Sequence, residues 1–385
     1  MKKIAENHFD VVVIGSSPIS MLEAIYWVSN KKKVAILEKS ALGGSWKYIS
    51  ALGFEKLEIG PHVFFGERSG YKILKKLGLA YRRRSIWNFD IHSRHLYKKY
   101  YSLQMFYEEM VSRFKKRIFR QKLEIKKFHL LKIFMDYIKN KVAYLERGCP
   151  QLLLAIFQLE KWKDVNVVYA ECQNIIFDKN KQLNLMTSVG KVSCDQVIIT
   201  SCCDIDFREA YKTYSNSCEE VSFEMQPFGS VQVSLLLKNN YRNLRFTKFQ
   251  YESTDILGTS NVVKKKKFKY IINLTDCVEK SNNVNLRCSN LSVISLAVDS
   301  EYYNLLSGEP DMSALIKDLK KFRLISRESE LLRFHNEVVK GQSFTKQGAL
   351  EINRLFNGKI TCLISESLIQ AFSENSKRWL KIFKN

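Results

Sequence analysis

Phe9 to Ile14 is an apolar run rich in valine, the pattern of a strand buried on both faces of a parallel sheet. Gly15 ends it in a tight turn, Met21 to Ser29 predicts a helix, and Val34 to Leu37 predicts a second buried strand ending at Glu38. Further on, Gly70 to Leu79 predicts a short helix. Alternation over Tyr81 to Tyr101 predicts short strands, and Gln104 to Tyr144, without proline or glycine, predicts mostly helix. Asp164 to Ile175 predicts one strand, and Gln182 to Thr200 a hairpin running into a buried strand. Strands follow at Ser230 to Lys238, Phe268 to Asn273, Leu291 to Val298 and Arg333 to Asn336, with a helix at Asp311 to Phe322. Gly358 to Ile364 and Leu368 to Phe383 close the chain as strand and helix. The expected fold class is α/β: a parallel sheet with helices, plus an α+β part of mostly antiparallel sheet and cap helices.

The first unit has a recognisable chemistry. Strand, tight turn, helix, strand and acid make a dinucleotide-binding βαβ unit. A pyrophosphate can sit on the N–H groups at a helix N-terminus, and an acid closing the second strand can accept from ribose hydroxyls. Glu38 stands near the expected distance after Gly15. The glycines depart from G-x-G-x-x-G, because this chain reads Gly15-Ser16-Ser17-Pro18-Ile19-Ser20. Ser17 falls where backbone should approach pyrophosphate and Ser20 where helix should pack on strand. A serine there can cap the helix or touch phosphate. The alternative is a βαβ unit whose turn binds nothing.

The continuation is Glu38-Lys39-Ser40-Ala41-Leu42-Gly43-Gly44-Ser45-Trp46, then Glu58-Ile59-Gly60-Pro61-His62. This resembles the FAD-binding half of the flavin amine oxidase superfamily, which includes protoporphyrinogen oxidases, phytoene desaturases and UDP-galactopyranose mutases. The resemblance implies a Rossmann-like FAD domain with an inserted substrate domain. It implies that Gly15, Ser16, Ser17, Pro18, Glu38 and Lys39 serve the ADP half of FAD. Gly43, Gly44, Ser45 and Trp46 would then serve the middle of the cofactor, with Gly60, Pro61 and His62 near the ring. Arg147-Gly148-Cys149-Pro150 and the strand after it resemble a second family segment, whose strand end, here near Cys172, meets the adenine. Asp195 opens a stretch like the family's return to the FAD sheet. At the C-terminal end Ser365 and Glu366 stand for the family's Gly-acid pair. The implied division is 1–80, 145–205 and 340–385 for FAD, and 81–144 and 206–339 for substrate.

The nine cysteines include no C-x-x-C pair, which excludes a zinc ribbon or thioredoxin-like motif. They are expected as reduced thiols, and no metal site is expected. The formal charge of +23 can attract anionic partners. It is spread along the chain, so nucleic acid is not an expected partner. The basic stretch Ser112 to Lys127 reads either as a helix resting on anionic membrane or as an ordinary cap helix with one wet face. Lys264 to Lys267 reads as a loop. The start carries no signal-like apolar run, and no run of about 18 uncharged apolar residues occurs, so a cytoplasmic location is expected.

The resemblance implies an FAD-dependent oxidoreductase taking a hydride from a small-molecule substrate. A flavin supplies the redox chemistry, which accounts for the lack of a Ser-His-Asp or paired-carboxylate set. His62 has two readings, an orienting or proton-transferring group and a residue packing the cofactor loop. One alternative is a mutase-like flavoenzyme on a nucleotide sugar, with Arg82, Arg83 and Arg84 as diphosphate contacts. The other is a non-catalytic binding protein on a degenerate flavoprotein fold.

Overall fold

Residues alternate along the first strand between two cores: Val11 and Val13 enter one, Phe9, Val12 and Ile14 the other. A strand covered on both faces must be apolar on both, which is why its sequence reads as a run. The computed structural model describes residues 8–44, 46–60, 62, 64–65, 68–85, 87–90, 95–98, 141–200, 205, 207–215, 221, 223, 225–242, 246–250, 268–298, 311–363 and 368–383.

The first unit is β1 (His8–Ile14), α1 (Pro18–Ser29) and β2 (Val34–Glu38). The hairpin β3 (Tyr48–Ala51) and β4 (Phe54–Glu58) follows, then β5 (Phe64–Phe65) and α2 (Arg68–Lys76). Next come β6 (Tyr81–Ser85), β7 (Trp87–Asp90), β8 (His95–Lys98), β9 (Lys141–Leu145) and α3 (Gln151–Phe157). Then β10 (Asn166–Tyr169), β11 (Cys172–Phe177), β12 (Leu183–Thr187), β13 (Gly190–Ile199) and α4 (Phe207–Ser215). The next stretch holds β14 (Met225–Lys238), β15 (Phe246–Gln250), β16 (Phe268–Asn273), α5 (Thr275–Asn282) and β17 (Leu291–Val298). The last elements are α6 (Met312–Lys321), β18 (Glu330–Phe344), α7 (Lys346–Leu355), β19 (Ile360–Cys362) and α8 (Leu368–Trp379).

The first seven-stranded sheet runs β10-β2-β1-β13-β12-β11, with β19 also on β13. The β10, β2, β1, β13 and β19 pairings are parallel, while β11 and β12 form an antiparallel meander. On one face lie α1, α2, α3 and α8, and on the other α4 and α7. The second seven-stranded sheet runs β18-β14-β17-β16-β15-β7-β8. Its one face packs on α6, and its other meets the β3–β4 hairpin and α5.

The C-terminal helix is tied to the first unit through a buried acid. Glu23 of α1, with no exposed surface, accepts from Trp27 Nε1 and Trp379 Nε1, each at 2.8 Å. It also takes Arg378 Nη2. A buried carboxylate needs such donors, because an unpaired one is costly.

Three expectations change. Lys141 to Tyr144, expected in a long helix, belongs to β9, which pairs with β6 from Tyr81↔Leu145 to Ser85↔Lys141. Cross-strand partners there override local helix preference. The rest of that expected helix, with the basic stretch Ser112 to Lys127, lies outside the described residues, as does Lys264 to Lys267. The single strand expected over Asp164 to Ile175 is two strands. Ala170 N bonds to Glu38 O at 3.0 Å as parallel pairing ends, and Cys172 then starts antiparallel pairing with β12. The strand expected at Arg333 to Asn336 spans all of β18.

Candidate functional site at the end of the parallel sheet

Gly15 turns the chain with φ +96, a left-handed backbone that favours glycine. Ser17 then caps α1 in extended conformation, accepting from Ser20 N at 3.4 Å. Ser20 Oγ lies 2.5 Å from Thr200 Oγ1, which donates to Ile14 O at 2.8 Å. The threonine proton is therefore committed, so Ser20 donates to Thr200, and Ser17, 3.1 Å from Ser20 Oγ, donates to Ser20. The two serines at glycine positions are thus satisfied inside the protein by a chain of hydroxyls.

The same turn has fewer donors for an anion than a glycine version. Pro18 at the first helical position has no N–H, Ser20 N is capped, and Met21 N bonds Ser17 O at 3.0 Å. Among the described residues, Ile19 N–H is the helix-end donor left over.

Glu38 closes β2, buried at 7% exposure. Ser16 Oγ donates to its Oε2 at 2.6 Å, and Ser40 donates to its Oε1 from N at 2.9 Å and from Oγ at 3.0 Å. Gly43 N donates to Ser16 Oγ at 2.9 Å. The first turn, the acid and the Gly-Gly segment are therefore one network. A Cβ on Gly43 would stand 2.5 Å from Leu153 Cδ1, whereas one on Gly44 meets nothing within 4 Å. Gly43 answers to packing, while Gly44, at φ +56, faces open space.

The other expected cofactor contacts are dispersed. Lys39 is exposed and lies 3.5 Å from Glu171. Trp46 is fully enclosed in the helix-side core against Phe64. Cys172 starts β11 with its thiol 3.7 Å from Asn174 O, and Tyr169, opposite Glu38 in the ladder, is the last residue of the strand beside the acid. Ser45, Pro61, Ser365 and Glu366 lie outside the described residues. Arg82, expected as a phosphate contact, has its Nε 3.2 Å from Glu146, which also pairs with Lys280 at 2.7 Å. The side chains of Arg83 and Arg84 lie outside the described residues. His95 lies in β8, and His92 outside the described residues.

Gly60, at φ +85, and His62 belong to a second centre, where the first unit meets the second sheet. His62 and Glu58 are 3% and 2% exposed, with Nδ1 3.3 Å from Oε1. Among the described residues neither of those two atoms has a hydrogen-bond partner, so their contact is one of proximity alone. Glu58 Oε2 accepts from Cys149 N at 2.7 Å. Gly148, at φ +92, brings backbone so close that a Cβ would stand 2.7 Å from that oxygen. From the second sheet come Gln232 of β14 and Ser295 of β17, both buried. Gln232 Oε1 accepts from Gly60 N at 3.0 Å, and its Nε2 reaches Ser295 Oγ at 3.1 Å and His62 Nε2. His62 Nε2 is 3.2 Å from Ser295 Oγ.

Glu58 colours its surroundings. Burial, and then the Glu58 charge, push the Cys149 and Cys277 thiols well up. Burial raises the Tyr270 phenol, with Glu58 adding to it, and burial pushes Tyr48 up to about 12. These groups are neutral at pH 7.

Sequence reasoning passed over Ser40, Thr200, Tyr169, Glu58 and Gln232. A signal existed for two: Glu58 stands four residues before His62, and Gln232 is a lone amide in the apolar run SVQVSLLLK.

No family model matches the sequence, and no curated protein matches it. Solved structures do match its shape. A protoporphyrinogen oxidase-like protein from Exiguobacterium sp. 255-15 has TM-score 0.59 at 12% identity, over 98% of this chain and 99% of that one. Putrescine oxidase bound to putrescine has TM-score 0.56 at 11% identity, over 98% and 100%. Reduced UDP-galactopyranose mutase has TM-score 0.54 at 13% identity, over 92% and 87%. At these identities the likeness shows the fold.

Proposed function

We propose that this chain, which has the fold of the FAD-dependent amine oxidase superfamily, is a flavoprotein oxidoreductase that holds FAD across the end of its parallel sheet. The observation that carries this reading is the single network of Ser16, Glu38, Ser40 and Gly43. It holds a buried carboxylate at the strand end where a ribose would stand, with one Oε2 lone pair left to accept a hydroxyl. The open space beside Gly44 fits the middle of an extended dinucleotide. The residues present therefore fit the group. Glu38 would hold the adenosine ribose, the Gly15–Ser17 turn and Ile19 N–H the diphosphate, and Gly43 and Gly44 the chain beyond it.

When bound, the flavin supplies hydride acceptance, and the chain binds it, orients it and excludes water. A small organic molecule as hydride donor is the substrate class of this reading. The test is the visible spectrum of purified protein after incubation with FAD and desalting. Flavin bands near ~370 and ~450 nm that survive desalting are expected. A folded protein that stays colourless contradicts the reading.

A second reading has its own observation. Pro18, with no N–H, and the inward hydroxyls of Ser17 and Ser20 all remove diphosphate contacts at one place. This favours a binding protein on the same fold that has lost turnover. A folded protein that stays colourless after incubation with FAD supports it.

A further inference from the structure

The hydrogen bonds around His62 fix where its proton sits. Gly60 N–H can only donate, so the Gln232 atom 3.0 Å away is the amide oxygen, and the amide has one orientation. Its nitrogen therefore faces His62 Nε2 and Ser295 Oγ. An amide nitrogen only donates, so His62 Nε2 must accept. The ring proton then lies on Nδ1, on the side of the ring that faces Glu58, whose Oε1 is 3.3 Å away. A proton on Nε2 would set donor against donor. Turning the amide to relieve that would leave Gly60 N–H without its acceptor. Ser295 is consistent with this arrangement, because its oxygen can accept from the amide.

We propose that Gln232 is the positioning residue of this centre. It holds His62 as the neutral Nδ1–H ring and pins the Gly60–His62 turn to the second sheet. The groups facing the imidazole are Glu58 from β4, Gln232 from β14 and Ser295 from β17. Cys149, Cys277, Tyr48 and Tyr270 enclose Glu58 and are neutral at pH 7. The turn's importance to turnover rests on the flavin reading above, whereas the protonation pattern does not.

The experiment is ring-nitrogen NMR at neutral pH on the whole chain grown with isotope-labelled histidine. The six histidines are sorted by a His62→Phe sample that removes one set of signals. The wild-type His62 ring is expected to carry one proton, on Nδ1, and Ser295→Ala is expected to keep it there. Gln232→Glu puts an acceptor where the amide nitrogen stood while leaving an oxygen for Gly60 N–H. It is expected to replace the single-proton signature with protons on both nitrogens. A wild-type ring protonated on Nε2 overturns the proposal, as does a Gln232→Glu ring identical to wild type. Loss of the Nδ1 signature in Ser295→Ala transfers the role from Gln232 to Ser295 and also overturns it. The wild-type spectrum decides even where a variant does not fold. Repeating it without flavin keeps this test separate from failure of the flavin reading.

Discussion

Glu38 and Glu58 are both buried carboxylates at the ends of strands, 7% and 2% exposed. Their partners differ in kind. Glu38 is held by hydroxyls and one backbone N–H, all within the turn it faces. Such partners leave a carboxylate anchored and still able to accept from a ligand. Glu58 is enclosed by an imidazole, the Cys149 N–H and the backbone at Gly148, at the junction with the second sheet. Its partners come from separate segments, at Gly148–Cys149 and at His62. Two buried acids thus differ in surroundings, one with a lone pair open to a ligand and one enclosed between layers.

The comparison breaks first at Glu58. Glu58→Ala leaves the Cys149 N–H without an acceptor inside the protein and removes the acid beside His62. It is expected to cost roughly 3 kcal/mol in urea unfolding. A cost below about 1 kcal/mol would show that its enclosed contacts do not stabilise the fold. Gly148→Ala tests the same centre from the backbone side, adding a left-handed alanine and a Cβ 2.7 Å from Glu58 Oε2. A loss of about 1–3 kcal/mol is expected, measured the same way.

Alkali sharpens the contrast. Cys149 and Cys277 have folded pKa values raised by burial and then by Glu58. A raised thiol favours the neutral form in the folded state, so its stability is complete below the unfolded value of 9.0 and is lost as pH rises toward the folded one. Unfolding free energy is expected to decline from about pH 9 upward, by up to ~1.4 kcal/mol per pH unit for each thiol. A Cys149→Ala/Cys277→Ala chain is expected to show a flatter alkaline limb. An unchanged limb would place the alkaline loss elsewhere.

Glu38→Gln should separate the two acids most cleanly. The amide oxygen can take both Ser40 donors while its nitrogen displaces the Ser16 hydroxyl from its acceptor, so a loss of about 1 kcal/mol in unfolding is expected, smaller than at Glu58. FAD affinity is expected to fall about tenfold, the loss of one charge-assisted hydrogen bond. Equal affinity for FAD would remove Glu38 from the binding role. The smallest expected effect is a gain. Pro18→Ala restores an N–H at the first turn of α1, and a few-fold tighter grip on FAD is expected by equilibrium titration.

The first unit was legible because every signal in it is local. Valines covered on both faces, a glycine at positive φ and an acid closing the second strand all lie within Phe9–Glu38. Strands of the second sheet were legible too, with Phe268–Asn273 and Leu291–Val298 matching residue for residue. The register that brings Gln232 to Gly60, 172 positions away, was not, because no local pattern encodes a contact of that span. The β9 strand was misread for the same reason, since its partner β6 lies far upstream. At the candidate site, spacing placed Glu38 at the end of the second strand, where the structure has it. Ser17 and Ser20 read as losses until Thr200 supplied the partner that satisfies Ser20.

The central claim is that the turn, Glu38 and the Gly-Gly segment hold the adenosine side of a flavin dinucleotide. Equilibrium titration of the purified chain with FAD and, separately, with FMN, followed by flavin fluorescence, tests it most directly. The account predicts saturable binding of FAD and at least tenfold weaker binding of FMN, which lacks the adenosine half. Equal binding of the two, or no binding of FAD by folded protein, would contradict it.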